Sequence, residues 1–327
     1  MANLCVIGAG IAAVLAISLA TAAEEDDVTL LKRAQELFQP LPKDMATPES
    51  PIIKERVDLG QQLFFDPRLT VDSNMSCASC HQPALYGTDA LPTSIGVRQR
   101  LHPRNAPTNL NSALNIVHWR GDRESVEDQV IKALISPITS GQPDLKAVED
   151  RLGRIPGYAS AFKAAFADAA NPITAQNIAK AIGAYERSLV TPSAFDAYLN
   201  GKSDALSSTA RTGLQKFGVV EDYWLATGST NIDKGRIDVT KDPADLYVFR
   251  VPSLRNVAMT APYFHDGSVS TLPEAVRVMA RVQLGITLSD ADTSDIVAFL
   301  ESLTGDLPAN FATVPTLPPG SLVPKEK

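Results

Sequence analysis

The sequence predicts a helical protein, built of short helices joined by ordered loops and large enough for two hydrophobic cores. Three observations predict it. The chain has 327 residues, 44% of them hydrophobic, which suffices for two core-bearing domains at roughly 150 residues each. Its 23 prolines and 6% aromatic content suit short, punctuated helices rather than a sheet sandwich. Apolar residues recur at helical spacing along most of the chain. The net charge of −7 excludes the basic footprint that nucleic acid requires, and an acidic surface is compatible with a basic protein partner.

The elements follow in order. Residues 1–23 read as a secretory leader, with an apolar run from Val6 to Ala20 that is short of the ~20 residues needed to span a bilayer. Ala20-Thr21-Ala22 resembles a cleavage site, and four acidic residues follow it. Cys5 precedes that site. Leu31, Ala34, Leu37 and Phe38 give a helix over Val28–Phe38, which Pro40 and Pro42 end. Ile53–Phe65 is a second helix, closed by Asp66-Pro67. A long stretch to Asn115, rich in Pro, Gly, Asn and Thr, suits a functional loop. Glu124–Leu134 and Leu145–Leu152 read as helices, Ile155-Pro156-Gly157 as a break and Tyr158–Ala167 as a resumption. Thr174 caps a helix with the stripe Ile178, Ala181, Ile182, Tyr185 and Leu189, and Thr191-Pro192 stops it. Ser207–Phe217 is helical. Gly218–Thr260 reads as loop with an extended piece at Tyr247–Val251. Thr271 with Glu274 caps a helix through Arg281, Ser289 opens the last helix and Gly305 closes it. The proline-rich tail beyond Leu307 reads as loose. No internal repeat stands out from spacing alone.

One pentapeptide carries chemistry: Cys77-Ala78-Ser79-Cys80-His81. C-x-x-C-H is the attachment signature of a c-type haem. Cys77 and Cys80 would add across the porphyrin vinyl groups, and His81 would be the proximal ligand of the iron. A zinc site needs more thiols or imidazoles than lie nearby, and a redox C-x-x-C usually opens a helix in a βαβ context that is absent here. Haem c is attached outside the cytoplasm, so leader and motif support each other and point to the periplasm. The chain has three cysteines, and none follows Cys80. One covalent haem is therefore the limit.

Leu63-Phe64-Phe65-Asp66-Pro67-Arg68, the haem motif, Gly87-Thr88-Asp89, Arg104-Asn105-Ala106-Pro107-Thr108, Val251-Pro252-Ser253-Leu254-Arg255-Asn256 and Ala261-Pro262-Tyr263-Phe264-His265-Asp266-Gly267-Ser268 resemble the bacterial di-haem cytochrome c peroxidase family, which includes MauG. The resemblance covers residues 50 to 305. It implies an all-α fold of two cytochrome-c-like helical domains with long haem-wrapping loops, here 24–192 and 193–327. It implies a periplasmic enzyme that reduces hydrogen peroxide to water with electrons from a small cytochrome c or cupredoxin. Members often form homodimers. By resemblance, His81 is the proximal ligand of the peroxide-reacting haem and Trp119 the tryptophan between the haems, proposed as an electron relay. Gln129 matches a glutamine beside that haem. Asn105 by its side chain, with Thr260 and Pro262 by their carbonyls, matches a calcium site with the oxygen donors that ion prefers. Met279 matches the axial methionine of the electron-receiving haem. As residues alone, Trp119 also reads as a core indole, Asn105 as turn chemistry, Gln129 as an exposed helix residue, and Met279 as a core methionine beside Leu272, Val276 and Ala280.

Three departures from the family pattern stand beside these matches. The second C-x-x-C-H is missing, and Gly213-Leu214 runs straight into Gln215-Lys216-Phe217-Gly218, the segment that follows that motif in the family. Met279 then has no haem to serve. The loop histidine that caps the peroxide-reacting iron in the family falls at Val97, which cannot ligate; His102 lies five residues on. The distal glutamate falls at Thr139, which cannot act as a general acid or base near neutral pH. The residues leave open a peroxidase with one haem, a one-haem electron carrier and an internally deleted copy.

Overall fold

The computed structural model describes residues 26–114, 117–215 and 233–320. The leader, the end of the helix expected to reach Phe217, the junction at 216–218 and the first part of the long second loop lie outside these residues.

Among the described residues the fold is helical, and pairing outside helices is confined to isolated bridges such as Gln82 with Thr88 and Tyr263 with Val269. The first half holds α1 (Asp27–Leu37), α2 (Lys54–Phe65), α3 (Cys77–Cys80), α4 (Val126–Leu134), α5 (Leu145–Gly153), α6 (Pro156–Ala165) and α7 (Ala175–Arg187). The second holds α8 (Ala194–Leu199), α9 (Ser208–Gln215), α10 (Ile237–Thr240), α11 (Leu272–Leu284), α12 (Asp290–Glu301) and α13 (Ala309–Ala312). Local chemistry sets the starts. Asp26, Ser125, Asp144, Thr174, Thr271 and Ser289 each accept a backbone N–H of the first turn with their side chains, which satisfies donors that the helix leaves orphaned. Pro156 opens α6 at a position where a missing N–H costs nothing. Gly285, with φ near +64°, ends α11.

Two hydrophobic clusters form. Leu59, Leu63 and Phe64 of α2 pack with Ile178, Ile182 and Tyr185 of α7 in the first, together with Val148, Leu152, Tyr158 and Phe162. Phe195, Tyr198, Leu214, Val276, Ile296, Phe299 and Leu300 build the second. One packing device recurs. A Cβ added at Gly60 of α2 would sit 1.9 Å from the Ala181 carbonyl oxygen of α7, and one added at Gly213 of α9 would sit 2.1 Å from that of Asp295 in α12. Each cluster is thus built on two helices that cross in backbone contact, which only glycine permits.

Both termini cross over. Leu30 and Ala34 of α1 belong to the second cluster, while Phe311 of α13 is fully buried in the first. The described part of the tail beyond Leu307, residues 308–320, is therefore docked rather than loose. Its carbonyls receive side chains of the first half: Gln62 Nε2 donates to Thr316 O at 3.3 Å and Arg68 Nη2 to Pro318 O at 3.0 Å. Proline-rich backbone keeps every carbonyl as an acceptor, and these amide and guanidinium groups use them. Two other expectations are corrected. The last helix ends at Glu301, before Gly305. Tyr247–Val251 is not a strand, because Tyr247 takes a left-handed φ of +62° that breaks the extension.

The halves are joined by buried amides. Asn111 Nδ2 and Asn256 Nδ2 both donate to Thr191 Oγ1 at 2.8 Å, and Asn256 Oδ1 accepts from Gly305 N at 3.0 Å.

Candidate functional site

The Cys-Ala-Ser-Cys-His run folds as the short helix α3 with His81 as its C-cap. Ser76 and Ser79 form a reciprocal capping box at its start, and His81 N–H closes the turn on Cys77 O at 3.0 Å. The turn brings Cys77 and Ala78 against the first cluster and sets Phe64 beside the imidazole, with centroids 6.5 Å apart.

The His81 ring is held by backbone carbonyls, those of Gly87 and Pro107. Its Nδ1 lies 2.9 Å from Gly87 O. A carbonyl can only accept, so Nδ1 carries the proton and Nε2 keeps its lone pair. That is the tautomer in which a histidine ligates a metal through Nε2 while its other nitrogen is anchored. Burial holds the imidazole below its ordinary pKa and so keeps it neutral and able to ligate. Burial also pushes the Cys77 thiol up to about 12 and the Cys80 thiol up to about 11. Both are therefore protonated and unreactive as nucleophiles at neutral pH. All three residues are partly accessible to solvent, although surrounding protein desolvates them. Two adjacent thiols and an imidazole with the correct free nitrogen, all partly open to solvent, fit a covalently attached haem.

Gln129 lies in α4, and its Oε1 is buried with no protein partner. α4 is tied to α7 by the Glu127–Arg187 pair, at 2.8 and 2.9 Å. Val97 is fully buried, its N–H bonded to Ile138 O at 2.8 Å. It packs into the 136–141 turn. His102 and Thr139 come together at that turn, 3.5 Å apart.

A second group of residues meets between the two halves. Asn105, Trp119, Thr260 and Pro262 line one cavity of about 120 Å³. Trp119 Nε1 donates to Asn105 O at 2.9 Å, and Asn105 N–H donates to His265 O at 2.8 Å. Asn105 Nδ2 donates to Leu91 O at 2.8 Å, which turns Oδ1 into the available acceptor. The oxygen types suit calcium, but the cavity lining includes Arg250 and Arg255 and no carboxylate. Neutral donors of this kind make a weak calcium site at best. Met279 lies half-buried on α11, and it is not among the residues that line this cavity.

Some participants have no signal in the sequence. Gly87 acts through its carbonyl, which every residue has. Glu186, one position before Arg187 in α7, has its carboxyl pushed up to about 8 by burial and by the charge of Glu127. His118 and Asp122 lie 2.5 Å apart beside Arg120 and Arg123. A helix stripe marks Tyr185, but nothing marks Glu186 as turned inward.

The family model for di-haem cytochrome c peroxidase matches residues 54–204. The chain is 39% identical to the cytochrome c551 peroxidase of Pseudomonas aeruginosa over 92% of its own length and 96% of the relative's. It is 31% identical to the methylamine utilization protein MauG of Methylorubrum extorquens, covering 90% of each. The crystal structure of a MauG-like protein associated with microbial copper homeostasis superposes with a TM-score of 0.72 at 26% identity, covering 84% of this chain and 97% of that one. The chain belongs to the di-haem cytochrome c peroxidase family, a family of peroxidase enzymes of all-α, cytochrome-c-like fold.

Proposed function

We propose that this chain is a periplasmic c-type cytochrome that reduces hydrogen peroxide to water with electrons from a small cytochrome c or cupredoxin. The observation that carries the reading is the His81 ring, whose Nδ1–H is held by Gly87 O at 2.9 Å so that Nε2 is offered to iron. Cys77 and Cys80 would hold one haem c through thioether bonds. That haem would supply an iron at which peroxide binds and an electron store of limited size. The protein's part is to hold His81 neutral and oriented. Gln129 contributes an amide oxygen that is buried without a protein partner, suited to accept a hydrogen bond from bound peroxide or water. Trp119, buried between the halves and bonded through Nε1, is positioned to pass electrons from a donor docked on the second half. Calcium at Asn105, Thr260 and Pro262 would bind weakly and stiffen that junction. Met279 serves as a packing residue of α11. A homodimer is compatible with this reading. Export rests on residues 1–23; among the described residues no helix is long and apolar enough to cross a membrane.

The test is steady-state oxidation of a reduced small cytochrome c by peroxide in the presence of the haem-loaded protein. Peroxide-dependent oxidation of the donor supports the reading. Donor oxidation that is fast without peroxide and indifferent to it supports a one-haem electron carrier instead, which the lack of any cysteine after Cys80 favours.

A further inference from the structure

Reduction of peroxide needs a group that moves a proton between its two oxygens. His102 sits on the 94–102 hairpin, which is closed by the Ile95–Leu101 bridge and by His102 N–H on Ser94 O at 2.8 Å. The tip of that hairpin is pinned to the 136–141 turn by Val97 N–H on Ile138 O at 2.8 Å. This arrangement brings His102 Nε2 to 3.5 Å from Thr139 Oγ1. Thr139 Oγ1 also lies 3.1 Å from Ser136 Oγ, so Thr139 bridges Ser136 and His102. A neutral His102 keeps one ring nitrogen unprotonated, as a base.

The same imidazole is electrostatically coupled to the haem motif. Burial keeps His102 below its ordinary pKa; the Asp89 carboxylate opposes that, and His81 adds to it. Asp89 also acts on His81 and on Cys80. Ser94, whose carbonyl takes the His102 N–H at 2.8 Å, also hydrogen-bonds the Cys80 thiol, so the hairpin that carries His102 lies against the haem motif. Of the acidic groups there, Asp89 accepts Leu91 N–H at 3.1 Å and is buried. Glu186, near Cys77, is pushed up to about 8 and would be a neutral acid rather than a base. The charged groups of the hairpin itself, Arg98, Arg100 and Arg104, do not change this. Arg100 donates to Pro137 O, and Arg104 is paired with Asp233.

We propose that His102, oriented by Thr139 through Ser136, is the proton-transfer residue of the haem site. This rests on the peroxidase reading above. Its unprotonated ring nitrogen would take the proton from the peroxide oxygen nearer the iron and give it to the other oxygen, which would depart as water when the O–O bond breaks. The remaining oxygen becomes the second water with two electrons from the small redox protein and two protons from solvent. Residue 139 thereby acts as a positioning residue, and the base comes from the hairpin beside it.

The test uses the haem-loaded ferric protein and hydrogen cyanide, which must lose its proton to bind iron. His102→Gln should slow cyanide association by ~10²-fold or more, in the range general-base groups contribute, with the ferric absorption spectrum unchanged. Thr139→Val should slow it less and shift the pH midpoint of the rate. An unchanged cyanide rate in His102→Gln overturns the proposal. So does a change of iron spin state in that variant, because His102 would then be an iron ligand. If wild type consumes no peroxide while His102→Gln still slows cyanide, the assignment of His102 stands and the peroxidase reading falls.

Discussion

The Glu127–Arg187 pair is the joint on which the position of Gln129 depends, and removing one side of it has a calculable cost. Arg187 is only 7% exposed, and its guanidinium makes two bonds to Glu127, at 2.8 and 2.9 Å, and one to Met45 O at 3.0 Å. Glu127→Ala removes two of these three bonds and leaves a buried cation with one carbonyl. Breaking a buried pair from one side costs about 3–5 kcal/mol, well above the ~0–1 kcal/mol of an exposed pair. Glu127→Gln keeps the shape and one acceptor, and should cost about 1–3 kcal/mol. Replacing both partners by apolar groups, Glu127→Leu with Arg187→Met, should recover most of the loss, because the uncompensated charge is gone. The pair also has a pH signature. Burial works against the Glu127 carboxylate, yet Arg187 holds it below its ordinary value. Its contribution is therefore full above the ordinary carboxylate pKa of about 4.5 and is lost as pH falls through the lower folded value. The assay is urea unfolding of the haem-loaded protein by far-ultraviolet circular dichroism. A loss below ~1 kcal/mol in Glu127→Ala, or a double variant no better than the single one, would refute the reasoning.

Asn256→Ala removes the acceptor of Gly305 N–H and the donor to Thr191, so it should cost about 2–4 kcal/mol at ~1–3 kcal/mol per buried group left unpaired; differential scanning calorimetry would show the lowered Tm. Phe311→Ala empties a fully buried site in the first cluster and should cost about 3–5 kcal/mol; a cost under ~1 kcal/mol would mean that the tail is not docked in solution. Burial drives His118 down to about 4, against the pull of Asp122. Between the unfolded value near 6.5 and that folded value, the unfolded chain binds the extra proton, so stability falls as pH falls, by on the order of 3 kcal/mol for this residue. His118→Gln should flatten unfolding free energy over that window, and an unaltered pH profile would count against it.

The sequence by itself determined the haem-attachment turn, the helices and one structural limit. C-x-x-C-H is local chemistry, with three roles five residues apart at most. Helix starts at Thr174, Thr271 and Ser289 were legible because a cap and its acceptor lie within one turn. The count of cysteines bounded the covalent haem at one. The short helix α8, capped by Ser193 and Asp196, carries the same signal, masked in the sequence by the adjacent Thr191-Pro192 stop. Tertiary structure alone decided the rest. Gly87 holds His81 through a carbonyl, and carbonyls have no residue signature. Gly60 and Gly213 mark equivalent helix crossings in the two halves, yet an isolated glycine in a helical pattern reads as a weak helix former until its neighbour is known. The tail docks because Gln62 and Arg68, far away in the chain, supply donors to its carbonyls. Asn105, Trp119, Thr260 and Pro262 meet at one cavity, and His102 meets Thr139, only because the chain folds back on itself. Periodicity and capping depend on near neighbours and survive in one dimension. Tautomers, shared cavities and buried pairs depend on residues that only packing brings within a few ångströms.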